Sequence, residues 1–356
     1  MARTNGLDGT AWDKDDGHPE AVRLGVDALS SRLRYLAAAH PSSPEYQDLR
    51  AHSRNVDGQP GVVHADGEHL TAEKADDRSA QSTPADRADR PTGLTAILAD
   101  ARRAGLATDR LHTIDDRRTV WSAERADLHD QIIDDLYAKA GSVPCEGKAL
   151  LAGGLPGSGK STVLASQAGI DRSHFLTLDP DEAKVEMAHR GMIPEVGDLS
   201  PMEASDLVHE ESSHITKQLA LRAYAESKNV IWDITMSSSA STQRRISDLR
   251  AAGYGEVEGV FVDIPIEASV RRAGSRYREG QEAYVDGRGV GGRYVAPEAI
   301  RAHADPEFGS TNRRAFEDVK SALDRWRRYD NSIDGDPAEL VEEGKPSHDI
   351  VREEDR

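Results

Sequence analysis

Apolar residues from about residue 148 onward follow two alternating patterns. Short runs rich in Val, Ile, Leu and Phe predict strands at 148–152, 174–178, 229–234 and 257–264, with a fifth near 328–333. Helical spacing between them predicts helices over 160–168, 181–190, 202–226, 240–252, 266–277, 296–303 and 311–327. Because strands and helices alternate, we expect an α/β fold with a mostly parallel sheet flanked by helices. Ligands of such sheets bind at the carboxyl ends of the strands.

The residues before this region follow a different pattern. A helix is expected over 18–39, where Val22, Val26, Leu29, Leu33 and Leu36 form one apolar stripe. Residues 41–92 are rich in Pro, Gly, Ser, Asp and His, which indicates a disordered linker. Helices are expected again over 94–104 and over 119–140, where Trp121, Leu128, Ile132 and Leu136 share a face.

These patterns predict four parts. They are a helical extension (1–40), a disordered linker (41–92), an α/β domain (93–335, with its core from about 110) and a charged C-terminal tail (336–356). We expect residues 342–356 to be frayed, since they are short of apolar side chains.

Composition narrows the classes of function. Hydrophobic residues make up 37% of the chain and charged residues 30%, in keeping with a partly disordered protein. The net charge of −18 argues against binding to a nucleic-acid backbone. The chain has no apolar run long enough for a transmembrane helix and no apolar signal-peptide core. With a single cysteine, Cys145, it cannot form an internal disulfide. We therefore expect a cytoplasmic protein without membrane contact.

The strongest chemical signal follows the first predicted strand. Residues 154–161 match the phosphate-binding pattern G-x-x-x-x-G-K-[ST], between a strand and a helix. Backbone N–H groups of such a loop and of the helix N-terminus bind phosphates. Lys160 is expected to reach the β- and γ-phosphates of ATP or GTP, and the Ser161 hydroxyl to bind Mg²⁺. The predicted nucleotide-binding residues are Gly154, Leu155, Pro156, Gly157, Ser158, Gly159, Lys160, Ser161 and Thr162.

Carboxylates follow the second and third predicted strands. Asp179, Pro180 and Glu182 suit the start of a helix, which leaves Asp181 available to take a proton from an acceptor hydroxyl. Asp233 and Thr235 lie two positions apart at the end of the next strand. Asp233 could hold Mg²⁺ and Thr235 could bind the acceptor, although both could instead cap the next helix.

Two groups of polar residues, the histidines at 209 and 214 and the arginines between 271 and 293, can each be interpreted in more than one way. His209 and His214 are five residues apart rather than four, and no cysteine accompanies them, so a zinc site is not expected. Arginines recur at 271, 272, 276, 278, 288 and 293. Some could lie on a solvated helix face, whereas others could bind a transferred phosphoryl group. The glycine-rich stretch 286–293 has the composition of a mobile lid that could bring Arg293 over the phosphates.

The order of these motifs resembles the zeta toxin family. The resemblance covers roughly residues 110–335 and lies in the segments 154–162, 178–184, 209–213, 229–235, 275–277 and 292–298, with the helix segment 124–129 before the first strand. Members of the family are P-loop kinases that transfer phosphate from ATP or GTP to the 3′-hydroxyl of the sugar of UDP-N-acetylglucosamine. The product blocks the synthesis of cell-wall precursors.

The resemblance implies roles for particular residues. Lys160 and Ser161 would hold the nucleotide and Mg²⁺, and Asp181 would be the catalytic base. Thr235 would bind the acceptor, and Arg276 and Arg293 would bind phosphate. Glu210 or Glu211 is the candidate for the family's acidic substrate-binding residue. An antitoxin is the implied partner, either encoded separately or fused, and the 18–39 helix could be such a tethered inhibitor or an unrelated docking helix.

Two other functions stay open on the sequence. The chain could be a P-loop kinase for another hydroxyl, such as a polynucleotide 5′-end or a small molecule, although its acidic charge disfavours nucleic acid. It could also be a nucleotide-binding regulator without phosphotransfer. Asp181 and the arginines favour an enzyme, because a regulator has no need of an acceptor base.

Overall fold

The computed structural model describes residues 91–345. The predicted helix over 18–39, nearly all of the predicted linker and the last eleven residues lie outside this range. The linker was predicted to reach residue 92, but helix α1 (Pro91–Arg103) already begins at Pro91. Leu94, Leu98 and Ala101 of α1 are buried, so this helix is an integral part of the folded domain.

Two further helices precede the sheet. Helix α2 (Thr108–Leu111) is a single turn, and α3 (Ala123–Lys139) begins where the Ser122 side chain accepts a hydrogen bond from the backbone N–H of Arg125. The α3 face predicted from the sequence is confirmed, because Ile132 and Leu136 are buried and Leu128 packs beside the core.

The described residues form one six-stranded sheet in the order β2-β3-β1-β4-β7-β8. Its strands are β1 (Lys148–Gly153), β2 (Leu176–Leu178), β3 (Val230–Asp233), β4 (Glu256–Asp263), β7 (Arg325–Asp330) and β8 (Glu339–Gly344). The first five are parallel, and β8 pairs antiparallel to β7. A small hairpin joins β5 (Ala304–Asp305) to β6 (Gly309–Ser310). The predicted mostly parallel sheet is confirmed.

Helices cover both faces of this sheet. They are α4 (Lys160–Ser166), α5 (Pro180–His189), α6 (His209–Ala225), α7 (Ser239–Ala251), α8 (Ile266–Val285), α9 (Pro297–Arg301) and α10 (Thr311–Val319), with 3-10 turns at Arg172–His174, Ala204–Val208 and Lys320–Ala322. Strand β1 is apolar on both faces: Ala149 and Leu151 enter one core, and Leu150 and Ala152 enter the other. Burial on both faces explains the nearly continuous apolar run in its sequence.

Several predicted boundaries were wrong. Helix α8 runs eight residues past its predicted end at 277, and the helix predicted over 311–327 ends before β7, which already begins at Arg325. Residues 339–344, predicted to belong to a charged tail, form the edge strand β8. Its glutamates bind basic residues of the neighbouring elements, such as Arg328 to Glu342 and Arg325 to Glu343, which is why a highly charged segment can still form a strand.

Within residues 91–345, the helices are all too short or too polar to cross a lipid bilayer.

Candidate functional site

The phosphate-binding loop lies between β1 and α4, as its motif predicts. Gly154 has a positive φ of 143°, and a side chain there would collide with the backbone oxygen of Val262. Gly159 adopts the left-handed conformation at the start of α4, where a Cβ atom would lie 2.6 Å from Asn331 Nδ2. Only glycine fits both positions, so the sequence of the loop is set by its backbone path.

The loop is joined to the end of β3. Lys160 Nζ lies 3.4 Å from Asp233 Oδ1 and 3.3 Å from the backbone oxygen of Gly154. The backbone N–H of Gly154 points to the oxygen of Thr235 at 3.4 Å, and the Thr235 side chain is exposed. The structure thus places Lys160, Asp233 and Thr235 at one edge of the sheet, as expected from the carboxyl ends of adjacent parallel strands.

Helix α5 begins at the same edge. Its N-cap is Asp179, whose carboxylate accepts the backbone N–H of Asp181 at 2.8 Å, and Pro180 occupies the first turn. The predicted capping role of Asp179 is confirmed. Since the cap uses Asp179, the neighbouring Asp181 carboxylate is left for other partners.

Asp181 is surrounded by basic side chains. Arg293 binds its Oδ2 atom, and Lys184 Nζ lies 3.2 Å from its Oδ1 atom. Arg276 on α8 adds a further positive charge nearby. The structure therefore brings together Asp181, Arg276 and Arg293, although Asp181 and Arg293 lie 112 positions apart in the sequence.

The two aspartates of this turn differ in proton affinity. Burial would raise the pKa of Asp181, but the charges of Lys184 and Arg293 outweigh it and lower that pKa to about 2. Burial raises the pKa of Asp179 to about 7, and the neighbouring charges of Asp181 and Asp233 add to this rise. Asp179 therefore binds a proton more readily than Asp181 does.

The other predicted arginines have different partners. Arg271 and Arg272 bind Asp334, and Arg272 also donates to the Asn331 backbone oxygen. Arg278 donates to Ser275, and Arg288 pairs with Asp286. These contacts stabilise the surface, so only part of the arginine cluster faces the site.

The segment predicted as a lid is packed against its neighbours. The Val290 backbone oxygen accepts the Met202 N–H at 3.0 Å, and there is no space for a Cβ at Gly292 against the backbone of Tyr277. This packing positions Arg293 beside Asp181. The mobility of the segment stays a prediction.

A cavity of about 310 Å³ lies beside the phosphate-binding loop. It opens between α4 and the segment that follows β7, and its lining residues are Thr162, Val163, Ser166, Gln167, Asn331, Gly335, Asp336, Pro337 and Ala338. Asn331 also donates to the Ser158 backbone oxygen at 2.7 Å, so one wall of the cavity is joined directly to the loop.

Comparison with known proteins gives the family. The sequence model of the zeta toxin family matches residues 139–326, more than half of the chain. The chain belongs to the zeta toxin family. Among solved structures, the AvrRxo1-ORF1:AvrRxo1-ORF2 complex with sulphate ions matches at a TM-score of 0.50, and the same complex with ATP at 0.51. Both are 17% identical and cover 67% of this chain and 76% of the other chain.

A chain in a structure of the PezAT chromosomal toxin–antitoxin system of Streptococcus pneumoniae matches at a TM-score of 0.45 and 15% identity, covering 61% of this chain and 80% of the other. No curated protein matches the chain. At these identities the AvrRxo1 structures indicate the fold, and the site residues depend on the geometry described above.

Helix α6 carries Glu210 and Glu211, the two candidates for binding substrate. Glu211, an alternative for binding substrate, is completely buried, and Arg125 Nε and His129 Nε2 lie 2.5 Å and 2.6 Å from its Oε1 atom. Burial would raise the pKa of Glu211, but the hydrogen bonds from His129 and Arg125 outweigh it and lower that pKa. The Glu211 carboxylate thus joins α6 to α3 inside the protein, which favours a structural role for this residue. Glu210 is exposed and stays a prediction.

This buried network was missed from the sequence. The sequence identifies Arg125 and His129 only as part of a helix, and nothing in local spacing pairs them with a carboxylate that lies 86 and 82 positions away, respectively. His214 lies beside His129, with ring centroids 5.5 Å apart. Within residues 91–345 no cluster of three or more His, Cys, Asp or Glu side chains is arranged to hold a metal ion.

Replacing Glu211 should strongly destabilise the fold. Glu211→Gln leaves the buried Arg125 guanidinium without its counter-charge, and breaking a buried pair in this way costs about 3–5 kcal/mol. Urea unfolding followed by circular dichroism measures the loss. The matched control is Glu210→Gln on the exposed side of the same turn, for which we expect a change within about 0.5 kcal/mol. Equal effects of the two substitutions would contradict a structural role for Glu211.

Proposed function

We propose that this chain is an ATP- or GTP-dependent kinase that phosphorylates the sugar hydroxyl of UDP-N-acetylglucosamine and thereby acts as a toxin against cell-wall precursor synthesis. The observation that carries the proposal is the position of Asp181, Arg276 and Arg293 at the same sheet edge as Lys160 and its phosphate-binding loop. A nucleotide-binding regulator would need the loop but not this group. Membership of the zeta toxin family supports UDP-N-acetylglucosamine as acceptor.

The residues suit each part of the phosphoryl transfer. Asp181 takes the proton of the acceptor hydroxyl while that oxygen forms a bond to the γ-phosphorus and the bond to the β–γ bridging oxygen breaks. Lys160, Arg276 and Arg293 balance the negative charge of the phosphoryl group and of the departing diphosphate. Thr235, exposed at the end of β3, binds the acceptor.

A nucleotide and Mg²⁺ fit the residues present. The cavity beside α4 has a volume suited to a purine base, and Thr162 in its wall follows directly after the phosphate-binding residues. The Ser161 hydroxyl and the Asp233 carboxylate are oxygen donors of the kind that Mg²⁺ prefers alongside phosphates. The metal ion would supply positive charge to the β- and γ-phosphates.

An antitoxin is the proposed partner, in cis or in trans. The N-terminal residues could supply it in cis, since a tethered segment acts at an effective concentration near the millimolar range. Deletion of residues 1–90 should then raise kinase activity and make expression more toxic to the host. The cut falls before Pro91 because α1 is buried in the domain. A peptide of residues 1–45 added in trans should inhibit the truncated enzyme only at high concentration.

The control for this deletion is the thermal unfolding of the truncated protein, which should match that of the full chain. A folded truncated protein that is neither more active nor more toxic contradicts autoinhibition. The extension would then serve to dock another molecule.

A further inference from the structure

Lys184 is a buried cation that none of the roles above uses. It is only 2% exposed and lies one turn after Asp181 on α5, with its Nζ atom 3.2 Å from Asp181 Oδ1. Lysine is almost never fully buried unless it is paired, because an ammonium ion loses its hydration there. The pairing with Asp181 is therefore what allows a lysine at this position.

The two cations on Asp181 differ in their surroundings. Arg293 lies on the segment after α8, and its side chain is 40% exposed, whereas that of Lys184 is 3% exposed. Arg293 binds the carboxylate that acts as the base in the proposed kinase, and it is also the residue proposed to bind the phosphoryl group. Lys184 is enclosed by the protein, so it has much less freedom than Arg293 to leave Asp181.

We infer that Lys184 is a positioning residue, which holds the Asp181 carboxylate ionised and oriented toward the acceptor hydroxyl after Arg293 has moved to the phosphate. This inference rests on the proposed kinase function and assigns to it a residue that is almost completely buried. In this proposal Arg293 exchanges its contact with Asp181 for one with the phosphoryl group, whereas the Lys184–Asp181 pair is kept.

The charges around the pair agree with this exchange. Burial lowers the pKa of Lys184 and the Arg293 charge lowers it further, against the raising effect of Asp181. When Arg293 moves away, the positive charge that lowers the pKa of Lys184 is removed, so that pKa rises. Lys184 then stays protonated and keeps Asp181 paired with one positive charge. The charged and titratable groups facing the pair are Arg293, Arg276, Asp179, Asp206 and the half-buried His209. Burial, with the Lys184 charge, lowers the pKa of His209 to about 4, so His209 is neutral near neutral pH.

The test is the pH dependence of turnover in Lys184→Met. ADP release from Mg-ATP is measured between pH 3 and 9, so that an acid limb raised above the Asp181 pKa of about 2 falls inside the range. The assay is run with and without UDP-N-acetylglucosamine, because water can replace the acceptor hydroxyl as nucleophile. Loss of the cation raises the pKa of Asp181, so the acid limb of kcat/KM should move up by about one to three pH units. At neutral pH kcat should fall about 10- to 100-fold through misplacement of the base. The KM for ATP should change little, since the Lys184 side chain is only 3% exposed and its ammonium group is paired with Asp181.

The matched control is Lys139→Met. This exposed lysine also pairs with a carboxylate of α5, Glu186, at 2.6 Å, but lies away from the site. Its pH profile should coincide with that of the wild type. Should Lys184→Met fail to fold, Lys184→Gln, which is one atom shorter than lysine, keeps a hydrogen-bond donor without the charge and is expected to show the same shift.

Three outcomes separate the claims. An unmoved acid limb in a folded Lys184 variant contradicts the positioning role alone. ADP release without phosphorylation of UDP-N-acetylglucosamine contradicts the proposed acceptor, while the pH shift still tests Lys184. Wild-type protein that releases no ADP contradicts the kinase and, with it, this inference.

Discussion

Lys160→Ala should reduce phosphotransfer at least 10²-fold and abolish growth inhibition. The Lys160 ammonium lies inside the phosphate-binding loop, near the Gly154 carbonyl and Asp233, where the β- and γ-phosphates would bind. Losing a preorganised charge at a developing negative charge costs about 2.7–4 kcal/mol of transition-state stabilisation. Turnover of the purified variant under saturating Mg-ATP measures the effect.

The fold should survive this substitution, since Lys160 packs on no apolar core. Its urea unfolding midpoint should stay close to that of the wild type. Lys148→Ala is the matched control, because Lys148 lies at the end of β1 that is remote from the phosphate-binding loop and pairs with Glu146 at 3.1 Å. Wild-type activity is expected there. A folded Lys160→Ala variant that retains more than about a tenth of wild-type turnover would contradict the assignment of the loop, since one such contact should be worth a larger factor.

Asp181→Asn should lower turnover about 10²-fold or more and leave ATP binding near the wild-type value, as expected for a general base. The amide cannot accept the hydroxyl proton, although it retains the size of the carboxylate. Turnover and equilibrium binding of ATP, measured on the same preparation, separate the two effects.

Asp179→Asn is the matched comparison, two residues earlier. Asn caps a helix nearly as well as Asp, so the start of α5 should be kept and the loss of activity should be smaller. The two substitutions test different groups, because burial raises the pKa of Asp179 to about 7, whereas nearby positive charges lower the pKa of Asp181 to about 2. If Asp179→Asn proves the more damaging substitution, Asp179 is the base.

The parallel sheet and the edge that carries the site could be predicted from the sequence. The apolar runs mark strands that are buried on both faces, and the glycines of the phosphate-binding loop reflect a backbone path that other residues cannot follow. Because parallel strands end at one edge, Asp181 and Asp233 could be placed beside Lys160 without knowledge of the contacts. The apolar runs and the glycine spacing can be recognised from the sequence because each involves only residues that are close together along the chain.

The parts that could not be predicted depend on long-range pairing. Glu211 has the same local sequence character as Glu210, and only the partners supplied by α3 make it a buried structural residue. Lys184 looks like a surface residue of a helix until its burial is known. Strand β8 is composed largely of glutamates and forms because basic residues on β7 and α10 lie opposite them. None of these three features has a signal in the spacing along the chain.

The central claim is tested most directly by following the γ-phosphate. The full chain and its Lys160→Ala variant are incubated with Mg²⁺, γ-labelled ATP and UDP-N-acetylglucosamine, and the nucleotide sugar is recovered and analysed by mass spectrometry. We predict that the wild type adds one labelled phosphoryl group to the sugar and that the variant adds almost none. Unchanged UDP-N-acetylglucosamine, together with labelling of a different hydroxyl acceptor or of none, would contradict the account.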